Sequence, residues 1–176
     1  VEGYKSFYSD AVSFIRSKDL DAFDIELEDQ ATKKLYDIQH GGQFLLARRL
    51  IQAGVQFVNI GIGGWDMHFN IFEDVPEKVP PLDKAIAVFM DDLKRQGLWN
   101  DTIIVFTTEF GRSPKIDKSL NPLGGRSHHN KAFSSWLAGG PIKGGLIYGA
   151  TNESGGKIIE NPVSVQDFNA TIAHAM

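Results

Sequence analysis

The run Val55-Gln56-Phe57-Val58-Asn59-Ile60-Gly61-Ile62 passes directly into Gly63-Gly64 and then into Trp65-Asp66-Met67-His68. Its β-branched and aromatic content predicts a buried strand. A strand that ends in glycines and then presents a carboxylate and an imidazole two residues apart carries metal-ligand side chains at its C-terminal end. That is the edge where open α/β sheets take their ligands. The rest of the chain is constrained by which later segments reach the same edge.

Helical and strand periodicities alternate around this run. Phe7, Ala11, Phe14 and Ile15 predict an amphipathic helix over residues 4–16, and residues 19–29 read as acidic, irregular surface. Residues 32–53 predict a helix interrupted near Gly41-Gly42 and stopped by Gly54. After His68 a proline-containing loop runs to Pro81, and Leu82, Ala85, Ile86, Phe89 and Leu93 then repeat at helical spacing until Gly97. Residues 102–107, apolar almost throughout, predict a second strand covered on both faces. With residues 55–62 and the helix between them they make a right-handed βαβ unit. Both strands of such a unit end on one edge, which brings Asp66 and His68 near Thr108-Glu109-Phe110-Gly111-Arg112. A loop over residues 113–130, of a length uncommon in compact domains unless functional, leads to a third strand over residues 132–138. A glycine-rich edge hairpin and a final helix capped by Ser164-Val165-Gln166-Asp167 follow. No repeat or linker divides residues 1–176, so a single α/β domain is expected.

Charge and composition exclude several partners. A net charge of -4 without a Lys/Arg cluster gives no positive surface for nucleic acid or anionic lipid, which leaves a small molecule as the expected partner. No apolar run approaches the ~18 residues of a membrane span. The absence of cysteine leaves His, Asp and Glu as candidate ligands. Val1-Glu2-Gly3-Tyr4 does not resemble a natural start, and Thr171-Ile172-Ala173-His174-Ala175-Met176 stops within a helical pattern, so the chain reads as part of a longer protein.

Five residues supply the ligand chemistry: Asp66, His68, Glu109, His128 and His129, with Arg112 and Arg126 close by in sequence. Carboxylate oxygen with imidazole nitrogen suits a divalent cation such as Zn, Ca, Mg or Mn. Guanidinium presents a planar fork of donors to phosphate or sulfate. Together they point to metal-assisted ester hydrolysis. His40 and His174 read as ordinary helix residues, and Thr107 and Thr108 are weak candidates for a nucleophile. A dinucleotide site at Gly61-Ile62-Gly63-Gly64 is disfavoured, because the fingerprint needs glycine where Asp66 stands.

Ala22-Phe23-Asp24, Gly42-Gln43-Phe44-Leu45-Leu46-Ala47-Arg48-Arg49-Leu50, Gly64-Trp65-Asp66-Met67-His68, Glu109-Phe110-Gly111-Arg112-Ser113-Pro114, Gly125-Arg126-Ser127-His128-His129 and Tyr148-Gly149-Ala150-Thr151 occur in this order. The series resembles the C-terminal part of a family of uncharacterised, often exported bacterial proteins of the alkaline phosphatase and sulfatase superfamily, over residues 21–176. The resemblance implies a three-layer α/β/α fold with a mainly parallel sheet, incomplete in this chain. It also implies a periplasmic or exported location, a small-molecule or glycan ester as substrate, and a metal site on the C-terminal sheet edge. Within that site Asp66 and His68 match ligands of one metal, and His128 or His129 matches a late histidine ligand. Glu109 stands where relatives begin an Asp-His-Gly sequence. Phe110 replaces the histidine of that sequence, and Ser127 replaces a usual Asp. The nucleophile of such relatives lies upstream of Val1. These departures keep a second class open, a catalytically inactive protein that binds an oxyanion or glycan on the same scaffold.

Overall fold

Two buried helical stripes carry most of the core. The computed structural model describes residues 2–15, 17–119 and 122–176. Arg16, the expected last residue of the first helix, and Leu120-Asn121 of the expected long loop lie outside them. In chain order the elements are α1 (Glu2–Ile15), 3-10 helices Lys18–Phe23 and Ile25–Leu27, α2 (Gln30–Leu35), α3 (Gly41–Gln52), α4 (Ile71–Arg95) and a 3-10 helix Trp99–Asp101. Then come β1 (Ile104–Phe106), β2 (Gly111–Arg112), β3 (His128–His129), β4 (Trp136–Ala138), β5 (Ala150–Thr151), β6 (Ile158–Glu160) and α5 (Val165–Ala175). They fall into two compact units, one of Val1–Ile62 with Pro80–Leu98 and one of Gly63–Val79 with Trp99–Met176.

In the first unit, α3 buries Phe44, Leu45, Ala47 and Arg48, and α4 buries Leu82, Ala85, Phe89, Asp92 and Leu93. These spacings of three and four residues each make one face of a helix. The Phe44 and Phe89 rings meet at 5.4 Å. The interruption expected near Gly41-Gly42 lies between α2 and α3. A Cβ on Gly41 would stand 2.0 Å from the Tyr36 carbonyl oxygen, so the turn between the helices closes only on glycine.

Two charges sit inside this stripe. Arg48 is 2% exposed and Asp92 1%. Arg48 Nε donates to Asp92 Oδ2 at 3.0 Å, and the Tyr36 hydroxyl donates to the same oxygen at 2.9 Å. A second carboxylate, Glu28, lies 2.5 Å from the Nη2 of Arg48. Burial alone raises the Glu28 carboxyl. Hydrogen bonds from Arg48 and Arg49 outweigh it and hold the group below its ordinary value. Burial first, and then the bond to Asp92, push the Tyr36 hydroxyl far above the usual phenol range.

The long middle helix begins earlier than its prolines predict. α4 starts at Ile71 and runs through Pro76, Pro80 and Pro81, none of which has an N–H for the helical ladder. Its first turn is held from outside: Ile71 donates to the Gly124 carbonyl at 3.3 Å, and Glu73 and Asp74 both donate to Asn70 O at 2.9 Å. Glu73 and Asp74 also complement the positive end of the helix. The boundary between the two units falls between Val79 and Pro80. No helix among the described residues is long and apolar enough to cross a membrane.

The second unit carries the strands, and here the three-layer α/β/α expectation fails. Among the described residues β1 pairs with β4, β2 with β3 and β5 with β6, each as an antiparallel pair, and no parallel sheet forms. The βαβ unit fails at both strands. Residues 55–62 form no strand, and Phe57 is 81% exposed. β1 is three residues long, with Ile104, Val105 and Phe106 opposite Ala138, Leu137 and Trp136. β-rich composition reports how well side chains fit a pleated surface and does not supply the partner strand that a sheet requires. The capping box does form: Ser164 Oγ accepts from Asp167 N at 3.1 Å, and Asp167 Oδ2 accepts from Ser164 N at 3.3 Å.

The buried Arg48–Asp92 pair predicts a specific stability pattern. Asp92→Ala takes the acceptor from Arg48 Nε and the Tyr36 hydroxyl inside the core and lowers stability by about 3–5 kcal/mol in denaturant titration. Asp92→Asn keeps an acceptor for Tyr36 and Arg48 and costs less. Equal losses for the two variants would show that the charge of Asp92 contributes nothing.

Candidate metal centre

The site begins with a backbone contact. A Cβ on Gly125 would lie 2.0 Å from both the carbonyl carbon and oxygen of His68, so only glycine permits this approach. Beside it Arg126 N donates to Met67 O at 3.2 Å, and Gly125 and Asp117 exchange backbone hydrogen bonds at 3.0 and 2.9 Å. These bonds fasten the Trp65–His68 turn to the segment leading into β3. Within the turn Met67 N donates to Trp65 O at 2.8 Å and His68 N to Asp66 O at 3.1 Å.

The short β2–β3 ladder then selects side chains by parity. Arg112 stands opposite His128, and Gly111 opposite His129. Opposed residues share a face and neighbours alternate. Arg112 and His128 therefore project together, with Phe110 on the same side two residues earlier. The Phe110 ring lies 4.3 Å from the His128 ring and 6.0 Å from the Arg112 guanidinium carbon. On the other face Gly111 lies against Ala132 O, with room for no side chain. His129 is turned away, its Nε2 3.0 Å from Gly156 O.

Asp66, His68 and His128 offer one ligand atom each to a common point. His128 Nε2 is 2.8 Å and His68 Nε2 3.0 Å from Asp66 Oδ1, and the two imidazole nitrogens are 3.3 Å apart. Ligands at zinc distances of 2.0–2.1 Å and tetrahedral angles are separated by roughly 3.3–3.5 Å. The His–His distance already fits, and the carboxylate needs to open by a few tenths of an ångström. Two imidazole nitrogens facing each other across one carboxylate oxygen make a poor hydrogen-bond network and a good donor set. Arg112 Nη2 also reaches Asp66 Oδ1, at 2.5 Å. Hydrogen bonding from His128 and then from Arg112 holds the Asp66 carboxyl down to about 2, so it is an anion at any physiological pH. The side chains of Asp66 and His128 are 65% and 50% exposed, which leaves room for a further ligand.

A family profile described as "Protein of unknown function (DUF1501)" matches residues 1–176. The chain belongs to this family. No curated protein and no solved structure matches it.

Of the seven residues that the sequence singles out in this DUF1501 member, Asp66, His68, His128 and Arg112 come together. Glu109 is exposed and outside the ligand group, on the alternate parity from Phe110 and Arg112. Arg126 donates to Ser113 O at 3.0 Å, and its own carbonyl accepts from Arg112 at 3.3 Å, so it braces the loop. Ser127 exchanges bonds with Ser113, accepting from its N at 2.8 Å and donating to its Oγ at 3.1 Å. Thr107 Oγ1 pairs with Ser135 Oγ at 2.8 Å, and Thr108 donates to Phe110 O at 2.9 Å. Phe110, read from sequence as a lost ligand, is a wall of the site, and strand alternation from Arg112 was the signal that places it there.

Gly125 gives this arrangement a direct test. Gly125→Ala forces the Trp65–His68 turn away from β3 and shifts the His68 and His128 imidazole signals together in NMR spectra. Gly63→Ala, where an added Cβ meets nothing within 4 Å, leaves them in place. Unmoved histidine signals in Gly125→Ala would break the link between the close approach and the site.

Proposed function

We propose that this chain holds a divalent cation on Asp66, His68 and His128 and uses it in the hydrolysis of phosphate or sulfate esters of small molecules or glycans. The supporting observation is the convergence of one carboxylate oxygen and two imidazole nitrogens within 2.8–3.3 Å of one another. Three protein ligands with an exposed remainder is the pattern of sites that leave a coordination position for substrate. When bound, a divalent ion supplies Lewis acidity toward an ester oxygen. Charge bookkeeping favours an anionic substrate. One carboxylate and two neutral imidazoles leave a divalent ion with an excess of one positive charge, and the Arg112 guanidinium brings the total to two. Arg112 orients the oxyanion through its planar fork, and Phe110 covers one side of the His128 ring.

A second reading, an oxyanion-binding protein without turnover, is favoured by Phe110 in the space beside His128 and by the engagement of the Thr107 and Thr108 hydroxyls elsewhere. Calorimetric titration of the metal-free protein with Zn²⁺ or Mn²⁺ tests the shared premise. One ion per chain is expected, with His68→Ala and His128→Ala each weakening affinity by about 100-fold or more. Glu109→Gln and His129→Gln leave it unchanged. Absence of binding by the unaltered protein removes the metal centre. Where metal binds, turnover of aryl phosphate or aryl sulfate esters between pH 6 and 10 selects the hydrolase, and binding of inorganic phosphate without turnover selects the second reading.

A further inference from the structure

We infer that Arg112 stands in for the cation's charge at Asp66 while the centre is metal-free, and that metal entry releases its guanidinium to take the oxyanion, so that the two ligands bind in that order. The inference rests on reading Asp66, His68 and His128 as metal ligands.

Three nitrogens crowd one atom. Asp66 Oδ1 receives Arg112 Nη2 at 2.5 Å, His128 Nε2 at 2.8 Å and His68 Nε2 at 3.0 Å. A carboxylate oxygen has two lone pairs in its plane, so these contacts compete. The Arg112 contact is the shortest, and it is charge-assisted. An ion on Oδ1 sets a second cation beside the guanidinium on one oxygen. Arg112 therefore yields its place at Asp66. The arm stays at the site, because its Nη1 donates to Arg126 O at 3.3 Å and its guanidinium carbon lies 6.0 Å from the Phe110 ring. That side chain is only 23% exposed, so it stays beside the ion when Nη2 leaves Asp66. The freed Nη2 N–H groups then face the open side of the ion, where a phosphate or sulfate accepts from them.

Without metal, Arg112 is spent on Asp66 and the oxyanion has no fork to bind. This separates a stand-in from an arginine that merely lines the site. Removing the Asp66 charge must free the arm even when no metal is present.

Inorganic phosphate and Zn²⁺ serve as separate calorimetric probes of the metal-free protein. Asp66→Asn is expected to bind phosphate about tenfold or more tightly than the unaltered protein, the scale of one charge-assisted hydrogen bond. The gain is expected to vanish in the Asp66→Asn, Arg112→Gln double variant. Arg112→Gln alone is expected to bind Zn²⁺ about tenfold more tightly, because a competitor for Oδ1 is gone. Unchanged phosphate affinity in Asp66→Asn, or a gain that survives in the double variant, overturns the stand-in role. So does unchanged Zn²⁺ affinity in Arg112→Gln. Failure of the unaltered protein to bind Zn²⁺ overturns the ligand reading instead, and the phosphate measurements still report on the Asp66–Arg112 contact by themselves.

Discussion

The contact between Gly125 and the backbone of His68 is the constraint on which the candidate site depends. Asp66 and His68 lie in a segment without regular secondary structure, and His128 in a ladder two residues long. What joins them is backbone against backbone at a distance no side chain at residue 125 would allow, reinforced by the Arg126 N to Met67 O bond and the Ile71 N to Gly124 O bond. The same stretch therefore starts α4 and seats the ligands. A site built on loops this way is less rigid than one on long strands, as the proposed exchange of partners at Asp66 requires.

Much of this was legible in the sequence, and some of it through the wrong geometry. The βαβ argument placed Asp66 and His68 near residues 108–112 because parallel strands end on one edge. Arg112 is indeed at Asp66, yet residues 55–62 form no strand and β1 runs antiparallel to β4. The neighbours were right because the Trp65–His68 turn is fastened at Gly125 and Arg126, and β3, which follows them, pairs with β2. The fold class was wrong because apolar, β-branched runs carry no information about their pairing partner. Local signals did better. The break at Gly41-Gly42 and the capping box at Ser164 depend on residues within one turn, and both stand. The start of α4 depended on Gly124, more than fifty positions away in sequence, and a proline count could not reveal it.

Ligand selection shows the same division between local and distant information. Composition offered His128 and His129 equally, and Glu109 beside Arg112. Strand parity separates them, since one of two adjacent residues faces away. It takes only the pairing of β2 with β3 to send His129 toward Gly156 and leave His128 on the face of Arg112 and Phe110. That pairing is set across a loop of fifteen residues, from 113 to 127, and so was invisible to spacing.

Two Arg–Asp pairs, Arg48–Asp92 and Arg112–Asp66, differ in burial, and burial decides what each can do. Arg48 and Asp92 are 2% and 1% exposed, and Asp92 is further held by Tyr36. Separating them leaves charges in a medium that cannot solvate them, so that pair is permanent and structural. Arg112 and Asp66 make a shorter contact, but Asp66 is 65% exposed and water is at hand for either partner. An exposed pair contributes little net stability whatever its length. Its partners can part at small cost when a stronger cation or anion arrives. An arginine on a buried ligand carboxylate would block a metal site, whereas one on an exposed carboxylate would leave room for the proposed cation. The exposure of Asp66 thus makes Arg112 exchangeable, and the burial of Asp92 makes Arg48 fixed.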